Sequence, residues 1–224
     1  MLTPKKVFRQ IQKLTEEIIQ SGLTNAENFP SVKQKPNGVV DIGISAVGHS
    51  LCLKDIPYAD MYHELDEKKQ YNLRMVDGAL ITLLYKFRGD ELEEHRLSFF
   101  PAPHLEMFQN ESKFYMEDEL YLDVFDKRVV AVPLRFDFDA GKAFVPIRHP
   151  KSHLTLGQYK HCRIPVSSAV SPHQFLTFIL WNFYHTKDGE NLCNLTKYDD
   201  KFDVSIVPDE TGMIHVCTSA SGYG

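Results

Sequence analysis

The 224-residue chain carries 25 Lys and Arg against 30 Asp and Glu, a formal net charge of −5, and 43% of it is hydrophobic. Such a chain builds a sizeable core and is expected to form one domain over 1–224. There is no apolar run of membrane-spanning length and no secretory-type apolar stretch at the start, which argues against a membrane protein and predicts a cytoplasmic one.

Taken in order, Val7, Phe8, Ile11, Leu14, Ile18 and Ile19 recur at helical spacing, and Gly22 stands where a C-terminal cap belongs, so an amphipathic helix is expected over 4–21. A polar loop should follow from Asn25 to Gly38, then a strand from Val39 to Ser45 and a surface helix from Asp60 to Gln70. The centre, 75–165, is β-rich. Ala79–Phe87 and Glu94–Phe100 read as a hairpin around Arg88-Gly89-Asp90-Glu91, and Pro101 and Pro103 end it. Asp77-Gly78 is a turn signal ahead of the first of these strands. A second hairpin is expected from Leu120–Phe125 and Arg128–Phe138 around Asp126-Lys127, with short strands near Phe144 and Leu154.

Ser171, Pro172 and Gln174 spell a capping box, and the helix they open, 172–185, carries Phe175, Leu176, Phe178, Ile179, Leu180 and Phe183 around most of its girth, as a buried helix does. Two strands within 202–218, Phe202–Val207 and Met213–Thr218, should close the chain around Pro208-Asp209-Glu210-Thr211-Gly212. The fold class is therefore α+β: an antiparallel β-sheet packed against a buried helix of the C-terminal half and an N-terminal amphipathic helix. Cys52, Cys162, Cys193 and Cys217 form no Cys-x-x-Cys pair, which removes the common zinc-ribbon and thioredoxin readings and leaves free, buried thiols.

Charge is segregated along the chain. From Ala140 to Lys187 there is no Asp or Glu, while Lys142, Arg148, Lys151, Lys160, Arg163 and Lys187 fall there with five of the ten histidines. Part of this window is a core helix that needs no acids, so the informative part is 142–163, which reads as a surface for a phosphate or another polyanion. Arg148, Lys151, Lys160 and Arg163 are its candidate phosphate ligands. The plainer alternative is a partly buried segment with no ligand.

Just upstream, Arg135, Asp137 and Asp139 share one face of an alternating strand, with Phe136 and Phe138 on the other. Paired carboxylates suit a hard cation or acid–base work, and a solvated face with a local Arg–Asp pair is the plainer reading. His149 and His153 lie four apart, but Pro150 keeps His149 out of a regular helix, so a loop must aim both rings. Asp137, Asp139, His149 and His153 together are candidate ligands for a divalent metal, Mg²⁺ or Mn²⁺, with Arg163 completing a phosphate subsite; the same five are the candidate catalytic residues. His161 and Cys162 should point to opposite sides of an extended segment, which makes His161 a poor base for Cys162.

Several strings taken together, Asp77-Gly78-Ala79-Leu80-Ile81, His95-Arg96-Leu97 with Phe100-Pro101-Ala102-Pro103, Arg135 to Asp139, His149 to Leu154 and Cys162-Arg163-Ile164-Pro165, resemble the uncharacterised family called domain of unknown function 2290 over about Asp77 to Tyr184. The resemblance implies a bacterial or phage-linked origin and a single site shared by these polar residues; it implies no activity. Two functions follow as expectations. One is a phosphodiester- or nucleotide-directed enzyme, such as a metal-dependent nuclease of a phage-defence or nucleic-acid maintenance system. The other is a non-catalytic nucleic-acid- or protein-binding component of a larger defence complex.

Overall fold

The computed structural model describes residues 2–44, 56–103, 132–141, 143–159, 161–184 and 193–218. The expected strand Leu120–Phe125, the turn Asp126-Lys127, the first residues of the strand from Arg128, and Lys142, Lys160 and Lys187 lie outside them.

Helix α1 runs Pro4–Gln20. Thr3 caps it by accepting the Lys6 N–H, Pro4 occupies the first turn, and Gly22 leaves it at φ +76°, a left-handed value that glycine adopts at no steric cost. Its buried stripe is Val7, Gln10, Ile11, Leu14, Thr15 and Ile18.

Nine strands among the described residues form one sheet in which every paired neighbour is antiparallel. They are β1 Thr24–Glu27, β2 Ser31–Gln34, β3 Val39–Gly43, β4 Leu73–Met75, β5 Leu80–Arg88, β6 Glu91–Phe100, β7 Leu134–Asp139, β8 Ser152–Leu156 and β9 Ile164–Pro165. The main order is β1-β4-β5-β6-β7-β8-β9. One edge of β5 is shared: Leu80 and Ile81 pair with β4, and Tyr85 to Arg88 pair with β3, which carries β2 outside it. The stretch expected as a polar loop before Gly38 thus contains two strands. Their short, mostly exposed sequences hide no alternating apolar face, so hydrophobic periodicity cannot reveal them.

Strand alternation divides the sheet into two faces. Ile81, Leu83, Tyr85 and Phe87 of β5, Leu97 and Phe99 of β6, Phe136 of β7 and Leu154 of β8 face the main core, with α1 and helix α3, Pro172–Phe183. The capping box forms as expected: Ser171 Oγ accepts the Gln174 N–H, and the Gln174 side chain accepts the Ser171 N–H. Phe175, Leu176, Ile179 and Leu180 are buried, and the Phe136 ring meets Phe175 and Phe178 edge-on at 6.0 and 5.6 Å. Burying each such side chain contributes about 1.5–3 kcal/mol, which fixes the helix to this face. The helix is less enclosed than its sequence suggests. Trp181 is 61% exposed, and Phe183, although stacked on Phe99 at 4.8 Å, is 38% exposed.

On the opposite face, helix α2, Tyr58–Glu67, covers only one end. Met61, Tyr62 and Leu65 pack with Tyr71, Leu80 and Phe100 as a separate small core. The C-terminal pair of strands is not formed. Val204 and Val216 make single bridges to Ser168 and Val166, and the expected turn is a short helix, α4, Pro208–Thr211. Pro208 and the Glu210 side chain, which accepts the Val207 N–H, start that helix, a local signal stronger than the strand propensity on either side. No helix among the described residues is long and apolar enough to cross a membrane.

Candidate anion-binding site

Register places charges in rows on the face that α2 leaves open. Arg96 of β6 stands opposite Asp137 of β7, and Asp137 stands opposite His153 of β8. One row over, Asp41, Lys86, Glu94 and Asp139 follow one another across β3, β5, β6 and β7, and on the other side Ser98, Arg135 and Thr155 do the same. Directly opposed side chains on an antiparallel sheet are about 4.5–5.5 Å apart, so each row acts as a unit. The ion pairs Lys35–Asp41 and Lys86–Glu94 occupy one end.

This face bounds a cavity of about 770 Å³. Its walls include Lys33, Lys35, Lys86, Arg96, Arg135 and Arg163 against Asp41, Glu94, Asp137 and Asp139, a formal surplus of two positive charges among the described residues, with His149 and His153 beside them. The chain as a whole is at −5, so the described wall of the cavity is a local inversion of sign.

Asp137 is the hub. Its Oδ1 accepts from Arg96 Nε at 3.0 Å and its Oδ2 from Arg135 Nε at 2.6 Å, and its side chain is 13% exposed. Burial pushes its pKa up, but the guanidinium groups of Arg135 and Arg96, with His153, override that and hold it below the usual carboxylate value. His153 is buried, with Nδ1 3.1 Å from the Pro150 carbonyl oxygen. A carbonyl only accepts, so this contact assigns the proton to Nδ1 and leaves Nε2 as the basic nitrogen of the neutral ring. Nε2 lies 3.8 Å from Asp137 Oδ2. Burial lowers the His153 pKa, Asp137 opposes the shift, and His149 and Arg163 add to it.

His149 comes from a tight loop closed by mutual Val145 and His149 backbone hydrogen bonds of 3.1 and 2.7 Å. Its ring stands edge-on to His153 at 5.2 Å. Within the loop Ile147 sits at φ +68°, a costly conformation for a β-branched residue. Its N–H donates to Glu210 Oε1 at 3.2 Å, and Glu210 is itself buried, so the start of α4 holds the loop in place.

The residues expected to form the site separate into two groups. Asp137, Asp139, His149, His153 and Arg163 all line the cavity. Arg148 and Lys151 do not: Arg148 is exposed, and Lys151 lies over the Phe144 ring at 5.4 Å. Lys160 is outside the described residues. The four candidate metal ligands share the cavity without forming a ligand shell. Both Asp137 oxygens already accept from arginines, Asp139 Oδ1 accepts the Gly141 N–H at 2.9 Å, and among the described residues no group of three or more His, Cys, Asp or Glu is placed to hold a metal ion. Cys162, expected in the core, is half-buried on the cavity wall. Sequence reading missed Lys33, Lys35 and Lys86, and met Arg96 only within a family string. For Arg96 and Lys86 the signal was strand parity: Arg96 alternates with the core-facing His95 and Leu97, which sets it on the same face as Lys86 and Arg135. Lys33 and Lys35 belong to an exposed stretch with no apolar alternation.

The fold and this face define an α+β protein whose large antiparallel sheet is capped on one side and carries a basic cavity on the other. Residues 23–218 match the family described as "Uncharacterized conserved protein (DUF2290)", and the chain belongs to that family. The match reaches beyond the strings that carried the resemblance, at both ends. No curated protein and no solved structure matches the chain.

Proposed function

We propose that the cavity binds a phosphate-bearing ligand, either a nucleotide or a phosphodiester of a nucleic-acid strand. The observation that carries this reading is the surplus of basic side chains around one cavity in an acidic chain, with Arg163, His149 and His153 on its wall. Guanidinium is the side chain best matched to phosphate, because its planar fork of donors stays charged and meets two oxygens at once. A binding-only protein of this kind would serve as the ligand-holding component of a larger complex. Isothermal titration of the full chain with pyrophosphate and with nucleotides at low and at physiological salt tests it. Binding should weaken as salt rises, and Arg163→Ala should weaken it about 10- to 100-fold, the worth of a charge-assisted hydrogen bond. Absence of binding by every phosphate ligand at low salt would remove the proposal.

A second reading, hydrolysis of a phosphodiester, is favoured by the bare Nε2 of His153. A neutral imidazole fixed by its other nitrogen is suited to take a proton from an attacking hydroxyl or water, and Arg163 to hold the charge that develops on phosphate. Mg²⁺ or Mn²⁺ would then enter through Asp139 and the phosphate's own oxygens, since Mg²⁺ commonly binds one or two carboxylates together with substrate phosphate.

A further inference from the structure

Tyr159 is 75% exposed and lies on the wall of the same cavity. A flat, amphipathic ring held at a fixed place beside a basic cavity offers a stacking surface to a planar ligand, and the turn that carries this ring is held by three hydrogen bonds. Gly157 donates its N–H to the Pro133 carbonyl at 2.7 Å, Gln158 Nε2 donates to the Ile56 carbonyl at 3.0 Å, and Cys162 N–H donates to the Tyr159 carbonyl at 3.2 Å. Gly157 sits at φ +60°, and a Cβ there would stand 3.4 and 3.5 Å from Cδ2 and Cε2 of Tyr159. The ring therefore lies over the glycine, and most of it stays in solvent. The Cys162–Tyr159 hydrogen bond closes a tight turn, after which the next residue is Arg163, also on the cavity wall. A flat aromatic surface and a guanidinium four residues apart in sequence thus both line the same cavity.

We infer that the ligand is a nucleotide unit, its base stacked on Tyr159 and its phosphate at Arg163. The inference rests on the phosphate-binding reading and narrows it, because a phosphate or sugar phosphate alone has no use for the ring. Stacking on an aromatic side chain accepts any base and is how single-stranded nucleic acid is held without reading sequence. The unit belongs either to a free nucleotide or to a strand.

Adenosine 5′-monophosphate and ribose 5-phosphate share phosphate and sugar and differ by the base, so titrating both separates the two contacts. The nucleotide should bind about 5- to 150-fold more tightly, the range for stacking one base. Tyr159→Ala should abolish that preference while leaving ribose 5-phosphate affinity unchanged, Tyr159→Phe should keep it, and Arg163→Ala should weaken both ligands. The ring is on the surface, so both Tyr159 variants should melt with the wild type. A single-stranded oligonucleotide of about ten residues, within the usual site size for one strand-binding groove, distinguishes the sources. If it binds far more tightly than the mononucleotide and loses affinity in Tyr159→Ala, the unit belongs to a strand. Equal affinity for the nucleotide and ribose 5-phosphate, or wild-type nucleotide binding by Tyr159→Ala, would overturn the inference and leave phosphate binding intact. Failure of every phosphate ligand, the oligonucleotide included, would overturn both.

Discussion

Asp137→Asn tests the charge network at its hub. Asparagine keeps the shape but brings no charge and one acceptor oxygen where Arg96 and Arg135 now meet two. Removing one partner of a buried ion pair costs about 3–5 kcal/mol when the other is fully enclosed. Here the two arginine side chains are 22% and 21% exposed, so water recovers part of that, and the expected loss is about 2–4 kcal/mol. For a chain of this size that corresponds to a fall in melting temperature of roughly 4–16 °C. The pH dependence supplies a second, independent check. The Asp137 pKa is held below its unfolded value of 3.8, so its contribution is complete above that pH and is lost as pH falls through the lower, folded value. The variant has no such group. The gap in melting temperature between wild type and variant should therefore stay open from neutral pH to about 4.5, shifting somewhat where His153 titrates, because Asp137 favours its protonated form, and close on further acidification. Scanning calorimetry of both proteins across that range measures it. A variant that melts with the wild type at neutral pH, or a gap that stays open at the acid end, would refute the network as described.

Two other predictions concern histidines. His95 is buried and accepts the Val170 N–H at 2.9 Å through Nε2, and burial, opposed by Asp137, takes its pKa from 6.5 to about 3. Between those values only the unfolded chain takes the proton, so this group makes stability fall with acidification, by at most about 1.4 kcal/mol per pH unit, and His95→Gln should flatten the melting profile there; parallel profiles would contradict it. If the cavity hydrolyses phosphodiesters, His153→Gln should lower turnover roughly 10²–10⁴-fold while keeping ligand affinity within about threefold, since that is what a general base contributes in rate, with little to binding. Turnover within about tenfold of wild type in this variant would sink the hydrolytic reading and leave the binding one.

The legible parts of the fold were those specified by local signals. Thr3-Pro4 and Ser171-Pro172 with Gln174 announce α1 and α3 by capping chemistry, and the β5–β6 hairpin is announced by two long apolar alternations around Arg88-Gly89. What was illegible depended on partners distant in sequence. β4 has three residues, and β9 is the pair Ile164-Pro165; each is a strand only because β5 or β8 lies beside it. Residues 202–218 show the reverse error. Their alternation suggested strands, but Pro208 and Glu210 start a helix between them, and Val204 and Val216 find only single bridging partners.

The site shows the same division, with a physical reason. The acid-free window drew attention to a segment that supplies Arg163, His149 and His153 to the cavity, but a run of like charge does not say which side chains point inward, and Arg148 and Lys151 lie off it. The wall built from β5, β6 and β7 carries Lys86, Glu94, Arg96, Arg135, Asp137 and Asp139, whose signs cancel along the chain and acquire meaning only through register. Asp137 joins the two walls. Two guanidinium groups brought onto adjacent strands repel one another, and a carboxylate between them removes that repulsion and fixes both through their Nε atoms. Taking Asp137 away adds a formal positive charge to the cavity, and a purely coulombic argument would then expect tighter phosphate binding. Preorganisation argues the opposite. Arg96 and Arg135 without their common acceptor would separate and regain rotamer freedom, and a ligand would have to order them again at about 0.5–1.5 kcal/mol for each side chain. If the cavity binds phosphate as proposed, the carboxylate in the middle of this basic face supports that binding rather than opposing it.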